Sequence, residues 1–276
     1  MKIIRYLAAI SLVLLLCSWG EKGHQIINSA SAKYLPVRVK RYKGWSEKLA
    51  AHGSDADNRK WNDPTEGIKH YIDIDDYKDF IQTHAIAEVK EEAIDKYGLG
   101  FMKKNGTLPW VTDSAYHALV AQYKARQWKK VLLTAADLGH YVGDGHMPLH
   151  LTVNFDGKTT GQSGIHSRYE SKMINRYADS ITVIPSRLHR IKDTRRYIFG
   201  YIYDNYQYKD SLLIADKIAF EAAGHAYNDL YYQILWNKTK GFTNKMIGDA
   251  SKSMQELIKT AWIEAGRPKI PKVIDF

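Results

Sequence analysis

The stretch HYVGDGHMPLH, residues 140–150, sets three histidines and an aspartate within eleven positions, and it constrains the fold more than any other part of the chain. Imidazole and carboxylate groups gathered in one place lose water, so a fold that gathers them must supply hydrogen-bond partners or a cation. His140 and Asp144 are four residues apart, which puts both on one face of a helix, one turn from each other. Side chains so spaced can reach one cation without bending the backbone. Gly143 and Gly145 permit close approach, and Met147-Pro148 ends the helix so that His150 can turn back toward the same pocket. HSRYE repeats the spacing with His166 and Glu170, and Asp57 and His70 stand upstream in the loop-like SDADNRKWNDPTEGIKHYIDID. A lone histidine is more often a surface or packing residue than a ligand. Two His/carboxylate pairs plus His150 within 31 residues point to metal.

The rest of the chain is patterned for helices. Apolar residues recur at three and four over 23–35, 37–52, 83–98, 113–144 (one long helix or two, with Asp113 as cap), 164–179, 186–206, 210–238 and 244–266. Alternating strand patterns are scarce, and repeats, low-complexity tracts and long linkers are absent from the sequence. An all-α, single multi-helix domain is expected, ending in an extended tail, GRPKIPKVIDF.

At the other end, Lys2 and Arg5 precede a mostly apolar run from Leu7 to Cys17, the pattern of a secretory signal peptide over residues 1–18. Cleavage before Trp19 leaves a domain of residues 19–276 that is periplasmic or secreted. Lipidation of Cys17 is the lesser alternative, because three leucines precede it where lipoprotein processing favours a small residue. The mature chain then holds no cysteine and depends on its core or on metal for stability. Its formal charge falls from +10 to +8, a surplus that favours anionic partners such as nucleic acid or phospholipid surfaces.

An N-terminal Trp followed by His24, then Asp57, HYID, HxxxDxxxxxH and HSxxE, resembles in that order the zinc-dependent phospholipase C and single-strand nuclease superfamily (the S-one/P-one nucleases). The resemblance spans residues 19–170 and implies an all-α phospholipase C/nuclease-like fold with a trinuclear zinc site, three Zn2+ in all. It implies that Asp57, His70, His140 and Asp144 hold one zinc. Trp19, through a freed α-amine and its carbonyl, would hold a second with His24 and a bridging Asp144. His150, His166 and Glu170 would hold a third, more open one. Lys60 matches a phosphate-stabilising position, and neighbouring Arg59 could serve instead. Tyr71 and Asp73 fall where the nucleases place a base-stacking aromatic and a base-contacting carboxylate. WGEKGH and HYID are similar to the nucleases, whereas Glu170 in HSRYE is similar to the phospholipases, and Ser171 stands where nucleases often carry a phosphate-contacting Asn.

The expected chemistry is in-line attack of an activated water on phosphorus, with no Ser or Cys nucleophile. Paired zincs roughly 3.5–4 Å apart bring the pKa of a shared water toward about 7, and the third zinc with Lys60 or Arg59 offsets charge at phosphorus. Asp57 can orient the water as well as ligate. The expected substrate is single-stranded DNA or RNA, as for an endonuclease and 3′-nucleotidase, with phospholipid head groups as the alternative. A non-catalytic zinc-binding protein of the same fold and a basic nucleic-acid-binding module stand behind these. No protein partner is evident, and a monomer is expected. His146 is left as a residue behind the ligands or on the surface. The basic runs at 38–43 and 187–197 read as solvated helix faces, and the late tyrosines as core and rim.

Overall fold

The computed structural model describes residues 19–275, so the expected signal peptide and Cys17 lie outside the described residues. Of the described chain 67% is helical and none is strand, in one all-α domain. The helices are α1 (Gly20–Lys33), α2 (Trp45–Ala51), α3 (Asp55–Arg59), α4 (Lys78–Thr83), α5 (Lys90–Tyr97), α6 (Leu99–Lys104), α7 (Leu108–Lys124), α8 (Trp128–Asp144), α9 (Ile165–Ser167), α10 (Ile174–Tyr177), α11 (Thr194–Tyr206), α12 (Lys209–Ala222) and α13 (Asp229–Glu264). A π-helical segment, Arg168–Met173, joins α9 to α10. No helix among the described residues is long and apolar enough to cross a membrane.

Two apolar cores organise these elements. The larger gathers Ile27, Leu119, Leu132, Ala135, Met254 and Leu257 from α1, α7, α8 and α13. The smaller gathers Ile72, Ile74, Phe80, Met102, Phe199 and Ile202 from the short-helix region and α11. The stretch 138–151 belongs to both: Leu138, Val142 and Leu149 face the first core, and Tyr141 and Leu151 the second. The titratable residues of α8 are therefore held at a seam that apolar packing closes on both sides.

Close approach at that seam depends on glycine. A Cβ on Gly139 would stand 2.1 Å from Asn28 Oδ1 and 2.4 Å from Met254 Sδ, so α8 meets α1 and α13 there almost backbone to side chain. A Cβ on Gly143 would likewise stand 3.1 Å from the His24 ring.

Several boundaries differ from expectation. α7 starts at Leu108, with Pro109 in its first turn, so Asp113 lies inside the helix rather than capping it. Helix is confined to α2 within 37–52, and 83–98 breaks between α4 and α5 at His84, which takes a left-handed turn at φ 57°. Segment 186–193 runs without helix. α13 side chains satisfy its backbone instead, as Glu256 accepts from the His189 amide at 2.8 Å and Thr260 from that of Ile191 at 3.1 Å. The basic run at 187–197 is thus an extended strap that becomes helix only where Asp193 caps α11, and 38–43 also precedes its helix. The last two expected helices divide elsewhere. α12 ends before Gly224 and His225, both at positive φ, and the Asn228 side chain caps α13, which continues through Gly241 to Glu264. One glycine costs an exposed helix only about 1 kcal/mol, which the buried residues on either side offset.

Candidate metal centre

Six separate segments bring donors to the seam. α1 presents His24, α3 presents Asp57, and a 3₁₀ turn, Gly67–Lys69, delivers His70. The last turns of α8 present His140 and Asp144, and a second 3₁₀ turn, Pro148–His150, swings His150 inward. α9 and the π-helical segment carry His166 and Glu170. Apart from Asp57, all these side chains are at most 4% exposed.

The donors form two sets. In the inner set, His70 Nδ1 lies 3.0 Å from both Asp144 Oδ2 and His140 Nε2, and 3.5 Å from Asp57 Oδ1. His140 Nε2 is 3.5 Å from the same Asp57 oxygen, and His24 Nε2 is 3.5 Å from Asp144 Oδ1. The two Asp144 oxygens thus face different histidines. The His24 and His140 rings stack at 3.8 Å, which places His24 closer to the Asp57 group than the resemblance implies. In the outer set, Glu170 Oε1 is 3.1 Å from His166 Nε2 and Oε2 is 3.4 Å from His150 Nε2. Three groups of three donors, His24/Asp57/His140, His70/His140/Asp144 and His150/His166/Glu170, could each hold a metal ion.

Scaffold acceptors fix which nitrogen each ring turns inward. His140 Nδ1–H donates to the Gly53 carbonyl at 2.7 Å, His150 Nδ1–H to that of His70 at 2.6 Å, and His166 Nδ1–H to that of Phe155 at 3.3 Å. Each leaves Nε2 for the cluster. Electrostatics divide the rings between two charge states. Burial works against a charged His140, but Asp144 and Asp57 outweigh it and hold the ring up to about 9. Burial, with His140 stacked beside it, lowers His24 to about 3, leaving a neutral ring. Burial disfavours both carboxylates as anions. Even so, His140 and Lys60 hold Asp57 well below the usual range, and His140 and His70 draw Asp144 down to about 2. Ionised carboxylates and the neutral His24 ring suit a cation as they stand, and His140 must give up its proton to join them as a ligand.

Around the donors, Lys60 Nζ sits 2.6 Å from Asp57 Oδ1. Arg59 is committed elsewhere: its guanidinium bonds Asp137 at 3.0 Å, Glu66 at 3.3 Å and the Tyr141 hydroxyl at 3.4 Å, so Lys60 is the cation of the pair left toward the cluster. Trp19 is fully buried and its indole N–H donates to the Gly143 carbonyl at 2.7 Å, pinning the start of α1 to the end of α8. Its own carbonyl accepts from the Gly23 amide at 3.1 Å. Tyr71 is half-buried and donates to the Lys104 carbonyl at 3.1 Å. Asp73 is half-buried too, and burial with Asp75 and Asp76 nearby pushes its carboxyl up to about 7. His146 is not on the surface. It is buried, stacks on Tyr201 at 4.3 Å and donates to the Val142 carbonyl at 2.7 Å.

Three features escape the sequence pattern. Trp61, beside Lys60, is 63% exposed, and its place next to that lysine was its only signal. Glu66 is buried against His70. Arg168, between His166 and Glu170, points the other way: it donates to the Ser163 carbonyl at 2.7 Å, the Gln162 carbonyl at 3.0 Å and buried Asp216 of α12 at 3.2 Å. That bond set ties the outer donors' segment to the α12–α13 side of the core. Compared with known proteins, the chain matches no family model and no curated protein.

Proposed function

We propose that the chain is a zinc-dependent phosphodiesterase, a nuclease acting on single-stranded nucleic acid and 3′-nucleotides, built on the phospholipase C/nuclease-like fold. The observation that carries this reading is the convergence of eight imidazole and carboxylate side chains from six segments into one buried seam. The donor chemistry fits zinc, which takes nitrogen and carboxylate ligands. Asp144 Oδ1 and His166 Nε2, buried without a hydrogen bond, are the atoms such an ion would satisfy. Asp57, His70, His140 and Asp144 would hold one zinc, His24 and Asp144 a second with the backbone of Trp19, and His150, His166 and Glu170 the third. Use of the Trp19 amine requires cleavage before it, in keeping with export. When bound, zinc supplies Lewis-acid polarisation and a nucleophile at neutral pH.

The chain's own residues do the rest. Lys60, held at Asp57, is placed to offset charge on a phosphoryl oxygen. Asp57 is held ionised and so can orient an attacking water as well as ligate. Tyr71 and exposed Trp61 offer ring faces to unpaired bases, and Asp73, protonated up to about 7, offers both a donor and an acceptor to a base edge. The second reading, a phospholipase C, is favoured by Glu170 in the outer set. A hydrolysis screen of the zinc-loaded protein on single-stranded DNA, RNA, a 3′-nucleotide and phosphatidylcholine tests both. Turnover of the nucleic acids is expected. Turnover of phosphatidylcholine alone replaces the first reading with the second, and turnover of none overturns both.

A further inference from the structure

Four histidines of the cluster obey one rule or its reverse. His140, His150 and His166 tie Nδ1–H to a backbone carbonyl and turn Nε2 inward. His70 is inverted: Nδ1 faces Asp144 and His140 at 3.0 Å, and Nε2 points away from them. Behind that nitrogen lies Glu66, 1% exposed, with Oε1 at 3.6 Å from His70 Nε2. His70 Nε2 is itself buried and has no hydrogen bond at that distance.

Glu66 is held rigidly as an acceptor. Its Oε1 accepts from the Tyr141 hydroxyl at 2.6 Å and from Arg59 at 3.3 Å, and its Oε2 accepts from Lys69 at 2.6 Å. Arg59 is in turn fixed by Asp137 at 3.0 Å. Three donors around one buried carboxyl keep it a carboxylate, and a carboxylate behind an imidazole selects the tautomer with the proton on the facing nitrogen. The lone pair then sits on the opposite nitrogen.

We propose that Glu66 is the positioning residue that makes His70 a metal ligand through Nδ1, the reverse of the Nε2 ligation set up for His140, His150 and His166. Ligand atoms about 2.0–2.1 Å from one tetrahedral ion stand roughly 3.3 Å apart. The 3.0 Å separation of His70 Nδ1 and His140 Nε2 is close to that spacing. The carboxylate both orients the ring and makes it a better donor. This rests on the metal reading of the cluster but not on the substrate.

The test uses the zinc-loaded protein, with nitrogen-15 NMR of its histidines and chelator competition for its zinc. His70 is expected to show a proton on Nε2 and zinc on Nδ1. Glu66→Ala is expected to weaken one zinc by about ten- to a hundredfold, while Glu66→Gln, which keeps an acceptor oxygen, recovers most of that affinity. The wild-type NMR assignment stands as its own test if Glu66→Ala does not fold. Zinc on His70 Nε2, or unchanged zinc affinity in a folded Glu66→Ala, overturns this inference alone. A wild type that takes up no zinc overturns it together with the metal reading.

Discussion

The inner and outer donor sets are built differently. The inner five come from residues 24, 57, 70, 140 and 144, so their meeting requires α1, α3 and α8 to pack correctly. The outer three lie between 150 and 170, on one turn and one bent helix. Crowding differs as well. His70 Nδ1 has three partners within 3.5 Å, whereas among the described residues Nε2 of each outer histidine is paired with Glu170. A set assembled from distant segments ties metal affinity to the whole fold, and a local set ties it to a few turns. The π-helical segment belongs to the local solution: such bulges frequently occur at functional sites, and here one carries Glu170.

The contrast can be broken by mutation. Asp144→Asn should do the most damage, because the two oxygens of that carboxylate face different histidines. Zinc should leave the inner set and turnover should fall by at least about a thousandfold, beyond what one lost electrostatic contact costs. Elemental analysis, expected to give about three zincs in the wild type, and steady-state kinetics check this; full zinc content with intact turnover would end the bridging role. Glu170→Gln should remove the outer ion alone and cost roughly a hundredfold in turnover. If inner zinc leaves with it, the two sets are one coupled unit and the comparison fails.

Tyr71→Ala should leave both sets loaded. Loss of stacking worth roughly 1–3 kcal/mol per base should slow nucleotide hydrolysis by about ten- to a hundredfold, with bis-nitrophenyl phosphate turned over nearly as before. Equal loss on both substrates would assign Tyr71 to support of His70 instead. The last effect is on stability. Asp73 keeps its proton up to about 7 in the fold, because of burial and Asp75 and Asp76, whereas an unfolded Asp releases it near 4. Between those values the native state holds the extra proton, so its stability declines as pH rises, by at most about 1.4 kcal/mol per unit. Asp73→Asn should flatten that decline in melting curves from pH 4 to 7, and identical slopes would show that Asp73 titrates normally.

How far the sequence foretold this arrangement depends on the range of the signal. The helix-borne pairs His140/Asp144 and His166/Glu170 were legible because four-residue spacing is a local property of a helix. The all-α class was legible from apolar periodicity for the same reason. The role of Arg59 was not, since its partner Asp137 lies 78 positions away. Nor was Glu66, an acid in a loop whose purpose depends on Tyr141, or the Arg168–Asp216 bond beneath the outer set. The extended strap at 186–193 was misread because its helical spacing is genuine, while α13 supplies the hydrogen bonds that a helix would have made for itself.

The pinning of Trp19 to α8 also fixes an order in time. A growing chain emerges amino end first, at about 5–20 residues per second. The Trp19 indole is made early, and its acceptor, the Gly143 carbonyl, comes 124 positions later. Gly139 then fits between Asn28 and Met254, so the seam is not sealed until most of α13 has been synthesised. A newly made chain thus carries these side chains apart for most of its length, and they can meet only near the end of synthesis.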